Sequence, residues 1–375
     1  MNEYSEVNKE QPLNSSSTRT SVFTKEFIEE ALKVDEDINI ELLKETAVTK
    51  PPSFSLEECL LNSTKDVLLE MSKEHGLTIP SSLKKKEVAV RLKDHIIKRF
   101  HSMLEYLPTS NLNFLHRFVD EKTSILDTTG VQLMDISHTT HLGFLFLFYH
   151  KNKVVIVIPK ELSPFLGVLK DKTIFEKAHL HERIDSYAVS LSNLYGVLDI
   201  DQAAIVWNKY EKETLTPMMI GDELSHLNAT QIFWWYENEY IISTYFDTSD
   251  EVEEFLQSVK EVSYYMPSFE ELRQFFSTPY DKSSPAAHAM IDFLRTFPLD
   301  EQTEVQYLMQ QISDACVVGE ELPDVIELLN EYGLSFHATD EVTRFTQLYD
   351  DLEETSRIWK LKGHRPSVLK NIQHI

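Results

Sequence analysis

Histidine side chains are the first candidates for metal chemistry in this sequence, which contains fourteen of them. His138 and His141 are three residues apart, and His179 and His181 lie beside Glu182. Zinc takes three or four ligands at about 2.0 to 2.3 Å in tetrahedral geometry, so a pair of histidines is not sufficient. Neither pair belongs to an H-E-x-x-H motif or has a cysteine partner. The sequence therefore predicts no metal site.

The sequence also contains no motif typical of a catalytic nucleophile or of a nucleotide-binding loop. Nucleophilic enzymes place a serine or cysteine beside a base, typically on a strained turn such as G-x-S-x-G, and no such motif occurs. Only nine glycines are present, and neither G-x-x-x-x-G-K-S/T nor G-x-G-x-x-G is found. Nothing singles out a catalytic pair among the 61 acidic residues, although their number leaves a paired-carboxylate enzyme open. We predict a protein that is not an enzyme and needs no cofactor.

A cluster of basic residues in one segment of the sequence points to phosphate binding. Residues 84–101 carry seven basic side chains against Glu87 and Asp94, a local balance of +5 in a chain whose net charge is -25. Such a positive surface on an acidic protein is typical of a contact with phosphates. The seven are Lys84, Lys85, Lys86, Arg91, Lys93, Lys98 and Arg99.

Two short helices separated by an extended loop are predicted to position these residues. Ser63 or Thr64 is the expected N-cap of the first helix, Gly76 lies where a C-terminal cap belongs, and Pro80 is in the loop. Helical spacing predicts which apolar residues are buried: Val67, Leu68 and Met71 in the first helix, and Val88, Val90, Leu92, Ile96 and Ile97 in the second. The alternative is a helical hairpin whose lysines are only its solvated face.

This pattern of a helix, a Gly-Leu-x-Ile-Pro loop and a lysine-rich helix resembles the N-terminal helix-extended-loop-helix module of the Rho transcription terminator and the similar SAP domains. The resemblance covers residues 63–101 of the 375. It implies a module that contacts nucleic acid or accompanies such contact. Because phosphate contacts carry no base information, sequence-specific binding is not implied.

Composition limits where such a contact could be. With 61 acidic against 36 basic residues the chain repels nucleic acid overall, so only a local basic surface could bind DNA or RNA. The two cysteines, Cys59 and Cys316, lack C-x-x-C spacing, which is typical of a reducing compartment. No signal peptide and no apolar run of membrane-spanning length is found. These features predict a soluble cytoplasmic protein without a membrane contact.

Beyond the basic segment, two β-hairpins are predicted, each after a series of helices. Residues 143–150 and 154–159 form the first, and residues 231–236 and 240–246 form the second. Helix, turn, helix and hairpin in this order are the outline of a winged helix, which suggests an internal duplication. Lys151 and Lys153 make a basic tip on the first hairpin. The second is aromatic and its surroundings lack Lys and Arg from 231 to 259, which favours core packing or a protein interface over base stacking.

The C-terminal region has its acidic and basic residues in separate segments. Residues 299–354 hold fifteen acidic residues against Arg344, whereas 355–375 hold five basic residues and no acid. The two segments could pair with each other, and the acidic one leaves DNA mimicry open as an interpretation.

The sequence RIWKLKGHRPSVL and the second hairpin resemble recurring pieces of uncharacterised Gram-positive bacterial and prophage proteins. That resemblance suggests a common element, without a stated role, at Trp359, Gly363, His364 and Pro366.

We therefore predict a mainly helical α+β protein of several modules. They are a flexible acidic N-terminus with short helices (1–53), the basic helical module (54–107), a first winged-helix-like unit (108–183), a second (184–280) and a helical C-terminal region (281–375). The predicted function is that of a non-enzymatic, nucleic-acid-associated regulatory or accessory protein. The alternative is a protein-interaction module or regulator that uses its acidic surfaces, and in either case a protein partner is expected. The sequence does not predict the oligomeric state.

Overall fold

The structure of the protein, a computed structural model, describes residues 21–228, 233–259, 261–278, 280–299 and 305–372. Most of the segment predicted to be flexible before the first helix therefore lies outside the described residues. Within these ranges the helices are α1 (Lys25–Ala31), α2 (Glu36–Thr46), α3 (Leu56–Asn62), α4 (Lys65–Glu74), α5 (Lys85–Met103), α6 (Thr109–Glu121), α7 (Ser137–His141), α8 (Lys172–Tyr195), α9 (Ile200–Tyr210), α10 (Pro217–Leu227), α11 (Ser249–Ser258), α12 (Phe269–Ser277), α13 (Pro285–Leu294), α14 (Val305–Val318), α15 (Leu322–Glu331), α16 (Thr339–Thr355) and α17 (Pro366–Ile372). The strands are β1 (Ile125–Asp127), β2 (Phe146–His150), β3 (Lys153–Val157), β4 (Val197–Asp199), β5 (Trp234–Glu237) and β6 (Tyr240–Ser243).

The prediction of a mainly helical α+β protein is confirmed. Short 3₁₀ segments at 104–106, 133–135, 163–170 and 359–361 connect the longer elements. Of the described helices, none combines the length and the apolar character that crossing a bilayer requires.

The first sheet belongs to a core that extends from Leu43 to Ala178. Its antiparallel strands have the order β1-β3-β2, with Phe148 opposite Val155. The two-residue turn between β2 and β3 has positive φ at both Lys151 (52°) and Asn152 (60°), the conformation whose twist suits a tight hairpin. Helices α3, α4 and α5 contribute to the same core, so the basic helical module packs directly on the first unit.

The second sheet repeats this arrangement with the strand order β4-β6-β5, and its hairpin turn has positive φ at Asn238 and Glu239. In both units a helix is followed by a short strand, further helical segments and a hairpin whose second strand lies in the middle of the sheet. Both predicted hairpins are confirmed. The strands β1 and β4 were not predicted, because three residues carry too little alternation to be recognised.

Helix α8 connects the two cores through its length of 24 residues. Ile174 and Ala178 near its start are buried in the first core, and the residues from Ile184 to Tyr195 contribute to the second. The boundary predicted between residues 183 and 184 falls inside this helix.

The chain before α1 packs on the second unit. Val22 and Phe23 are fully buried there, and the Phe23 ring meets that of Tyr187 edge-on with centroids 5.0 Å apart. The described end of the predicted flexible segment is thus part of a core.

The helices α13 to α16 form a third core around residues such as Met290, Leu308 and Leu348. The chain then returns to the second unit, where Trp359 packs with Val197, Phe246 and other residues of a small fourth core. We call residues 356–366 the C-terminal segment.

Candidate binding surfaces

The two helices predicted for the basic segment are present as α4 and α5. Thr64 caps α4 by accepting a hydrogen bond from the backbone N of Val67 at 3.3 Å, and Gly76 has φ +63° just after the helix. Predicted burial is confirmed for Leu68 and Met71 on α4, but Val67 is 42% exposed. On α5 it is confirmed for Val88, Leu92 and Ile96, whereas Val90 and Ile97 are half-buried.

The basic residues of α5 divide into two groups. Three of them contact the rest of the module: Lys85 Nζ donates to Leu61 O at 2.7 Å, Lys93 Nζ pairs with Glu57 Oε2 at 2.9 Å, and Arg99 Nη1 donates to His75 O at 3.4 Å. These contacts hold α5 against α3 and the end of α4. Arg99 is nevertheless exposed, and so are Lys86, Arg91, Lys98 and the N-cap residue Lys84.

The exposed basic residues share their helix face with acidic ones. Lys84, Arg91 and Lys98 are seven residues apart, and Glu87 and Asp94 lie between them at spacings of three and four, all five being exposed. Residues three and four apart are neighbours on a helix surface. The stripe therefore alternates in charge, and the local balance of +5 is not gathered on one face.

The tip of the first hairpin carries Lys151 and Lys153, both exposed. Lys153 begins β3 opposite His150, so it is fixed in direction by the strand ladder. These two lysines belong to the hairpin that packs on the same core as α5, and they are the second basic element of this half of the protein.

An open groove of about 820 Å³ lies on the second unit, where the start of α9, the helix α10 and the turn between β5 and β6 meet. Its carboxylates are Asp199, Asp201, Asp222 and Glu239, and none of the described residues that line it is basic. Met218 at its edge is 72% exposed. We call this feature the acidic groove.

Local sequence explains the shape of the acidic groove. Thr216 caps α10 by accepting from Met219 N at 3.2 Å, and Pro217 occupies the first helical position, which suits proline. Asp199 caps α9 by accepting from Gln202 N at 2.8 Å. A Cβ at Gly221 would lie 2.6 Å from Tyr236 Oη, so this glycine lets the hairpin tyrosine rest on α10.

The acidic groove was not among the predicted sites. Its acidic residues come from residues 199 to 239 and show no motif, although the absence of Lys and Arg from 231 to 259 was the available signal. That signal favoured core packing or a protein interface and did not predict a groove.

Two of the histidines singled out by their spacing, His138 and His181, meet at the junction of the two units. A cavity of about 30 Å³ is lined by His138 from α7 and by His181, Glu182 and Asp185 from α8. Burial lowers the pKa of His138 to about 4, so this ring is a neutral one at physiological pH. Within the described residues, no three His, Cys, Asp or Glu side chains are arranged to hold a metal ion.

His181 is the central residue of this junction. Its Nδ1 lies 2.7 Å from Glu105 O and its Nε2 lies 3.0 Å from Glu223 Oε2. The Tyr106 ring stacks on His181 at 4.7 Å between centroids and on His226 at 5.3 Å. Polar and aromatic contacts thus join α8, α10 and the 3₁₀ segment after α5.

The cysteine thiols are poorly suited to nucleophilic chemistry. Cys59 and Cys316 are free and buried, and burial raises the pKa of each to about 12. A thiol reacts as its thiolate, so neither cysteine is activated.

The C-terminal segment packs its predicted element against α8 and the chain before α12. Trp359 Nε1 donates to Asn193 O at 3.0 Å, and His364 Nε2 lies 2.9 Å from Ser263 O. Gly363 has φ +78°, and a Cβ there would lie 2.8 Å from the Tyr195 ring. Pro366 begins α17. In this structure the element holds the end of the chain on the second unit.

The basic residues of 355–375 pair mainly outside the acidic segment. Arg357 binds Glu271 with Nη2 at 2.5 Å from Oε1, and Arg365 lies 3.8 Å from Asp281. The predicted pairing with residues 299–354 is found for Lys370, which contacts Glu354.

Comparison of the chain with protein-family models, curated proteins and solved structures found no match.

Proposed function

We propose that this protein is a non-enzymatic binding protein whose acidic groove docks a basic, partly apolar segment of a protein partner. The observation that carries the proposal is the groove itself, with four carboxylates, no described basic lining residue and an exposed methionine at its edge. Complementary charge steers association and selects partners. Methionine adapts to varied apolar surfaces, which suits a docking site.

The location of the groove supports this proposal. A helix and a hairpin tip form it on a unit with the order of elements of a winged helix, and we propose that both units are such modules. On the second unit the carboxylates of Asp201, Asp222 and Glu239 would repel phosphates. A basic peptide is the occupant whose charge is complementary.

The test uses a labelled 20-residue peptide of lysine and leucine in an amphipathic pattern, with a glutamate and leucine peptide as the charge control. Fluorescence anisotropy with the full chain should detect binding of the first peptide only. The double variant Asp201→Asn and Asp222→Asn should weaken binding at least tenfold. The matched control is Asp350→Asn and Asp351→Asn, two exposed positions of α16 outside the groove, which should change affinity less than twofold. Equal losses in both variants would show that net charge, and not the groove, binds the peptide.

A second candidate function is nucleic-acid contact through α5 and the first hairpin. The observation that favours it is the exposure of seven of the predicted cations on one core, namely Lys84, Lys86, Arg91, Lys98, Arg99, Lys151 and Lys153. They would contact phosphates and give binding without sequence preference. The alternating charge of the α5 stripe makes this contact local and weak.

A gel-shift assay over a range of salt concentrations tests this second function. Changing Lys86, Arg91 and Lys98 to Glu should abolish binding to mixed DNA and RNA fragments, and changing any one of them should reduce the salt slope by roughly one unit. The control changes Lys33, Lys172 and Lys282, which are exposed elsewhere, to Glu. If the α5 variant binds as the original protein does, nucleic-acid contact through this helix is excluded.

A further inference from the structure

A small pocket of about 180 Å³ lies beside the acidic groove and shares Asp199 and Tyr240 with it. The second sheet, the end of α11 and the C-terminal segment enclose it. Four aromatic rings line it, and so do two carboxylates: Tyr240, Phe255, Tyr264 and Trp359, with Asp199 and Glu261. We call this feature the aromatic pocket.

Aromatic faces combined with carboxylates favour a cation. The face of an aromatic ring is the negative end of its quadrupole and attracts ammonium groups by about 0.5 to 2 kcal/mol, the larger value applying when water is excluded. Carboxylates at the rim strengthen this preference and disfavour anions. The volume is below the range of about 300 to 1,000 Å³ for drug-sized ligands, so a single side chain is the right size of occupant.

The chain already places one ammonium on this lining. Lys362 Nζ lies 4.8 Å from the centre of the Tyr264 ring. The backbone from which this side chain extends is held in place, because the Lys362 carbonyl accepts from Tyr265 N at 3.0 Å. The walls of the pocket therefore accept an ammonium group. Lys362 would compete with any incoming cation for the Tyr264 ring.

We propose that the aromatic pocket receives the ammonium of a lysine side chain from the partner segment that docks in the acidic groove. This inference rests on the proposed function and adds a specificity element to it. The shared residues Asp199 and Tyr240 place the two sites next to each other, within reach of one segment. Lys362 acts as a placeholder that the incoming lysine displaces from Tyr264.

The first experiment uses n-butylammonium as a probe of the pocket alone and 1-butanol as its neutral counterpart. The indole NH signal of Trp359 in the NMR spectrum of the ¹⁵N-labelled full chain is the readout. It should shift and saturate with n-butylammonium and remain in place with 1-butanol. Equal shifts with both probes would overturn the proposal, because they would indicate apolar contact without cation recognition.

Two substitutions sharpen this measurement. Glu261→Gln removes a carboxylate from an exposed position and should weaken n-butylammonium binding at least threefold. Lys362→Met removes the competing cation and should tighten it at least threefold. If the Lys362→Met variant does not fold, Lys362→Gln takes its place in the experiment, and the same tightening is expected. Weaker or unchanged binding in the Lys362 variant would contradict the placeholder role.

The lysine and leucine peptide then separates this inference from the proposed function. Glu261→Gln should also weaken peptide binding, whereas the Asp201 and Asp222 double variant should leave n-butylammonium binding unchanged. If only the groove variant affects the peptide, the proposed function holds and the lysine pocket is rejected. If n-butylammonium binds but the peptide is insensitive to Glu261→Gln, the pocket takes a free amine and the inference is also rejected.

Discussion

At the scale of single residues, partners far away in the chain decide how polar groups are accommodated in the interior. Glu211 is 2% exposed, and its carboxylate lies 2.6 Å from Arg183 Nη1. It also accepts from Tyr187 Oη at 3.1 Å, Ser21 Oγ at 2.7 Å and Val22 N at 3.1 Å. A buried charge is tolerated when it is paired and hydrogen-bonded. This carboxylate therefore fixes the start of the described chain on the second unit.

Asp185 gives a prediction for the pH dependence of stability. Burial raises its pKa to about 7, although Trp234 Nε1 donates to Oδ1 at 2.7 Å and opposes the shift. Because the pKa of Asp185 is raised in the folded protein, this group makes its full contribution to stability when the pH is below its ordinary pKa of 3.8. That contribution is lost as the pH rises through about 7. Asp185→Asn should therefore raise the free energy of unfolding at pH 8 by up to about 4 kcal/mol relative to its effect at pH 4.

Urea unfolding at pH 4, 6 and 8 measures this difference, with the exposed Asp250→Asn as the control. His138, whose lowered pKa favours the fold at higher pH, is present in both proteins and so cancels in the comparison. A difference between Asp185→Asn and the original protein that does not change with pH would contradict the assignment.

At the scale of elements, α8 and the C-terminal segment fit together because two glycines permit close approach. A Cβ at Gly196 would lie 2.4 Å from the Trp359 ring, and one at Gly363 would lie 2.8 Å from Tyr195. Both glycines have positive φ, which other residues rarely adopt. In these contacts, the C-terminal element that the sequence singled out packs on residues more than 160 positions earlier in the chain.

Gly196→Ala should destabilise the protein by about 2 to 4 kcal/mol, because it adds overpacking against Trp359 to backbone strain. Gly130→Ala is a control for a side chain added at positive φ, since Gly130 has φ +68° and nothing within 4 Å of the added Cβ. The control should lose only the strain energy of about 1 to 2 kcal/mol. Free energies of urea unfolding measure both, and equal losses would show that the Trp359 contact adds nothing.

At the scale of the whole molecule, α8 makes the two units depend on each other. The helix packs against α6 in the first unit and against α10, α12 and β6 in the second. The histidine junction lies at its middle, where His181 contacts Glu105 and Glu223. Unfolding of one core is therefore expected to affect the other.

Leu180→Pro tests this coupling, with Leu180→Ala as the control for the loss of the side chain. Proline in a helix interior removes a hydrogen bond and clashes with the preceding turn, at a cost of about 3 kcal/mol or more. We expect this additional loss and two separate unfolding transitions, followed by circular dichroism and tryptophan fluorescence in urea. A single transition at the midpoint of Leu180→Ala would show that α8 does not couple the cores.

The sequence by itself determined the local elements of this protein. The Thr64 cap, the stop at Gly76 and the first hairpin are confirmed because hydrogen bonds and backbone conformation over a few residues decide them. Periodicity likewise predicted the buried Leu92 and Ile96. The mainly helical α+β class follows from these local preferences.

Only the tertiary structure decided which side chains are available for binding. Lys93 counts as a cation in the sequence, but its ammonium pairs with Glu57, which is 36 positions away. The carboxylates of the acidic groove converge from separate elements, and Trp359 finds its acceptor at Asn193, 166 positions away. Such contacts depend on how the cores pack, which no local pattern of residues encodes. For this reason the basic segment was visible in the sequence and the acidic groove was not.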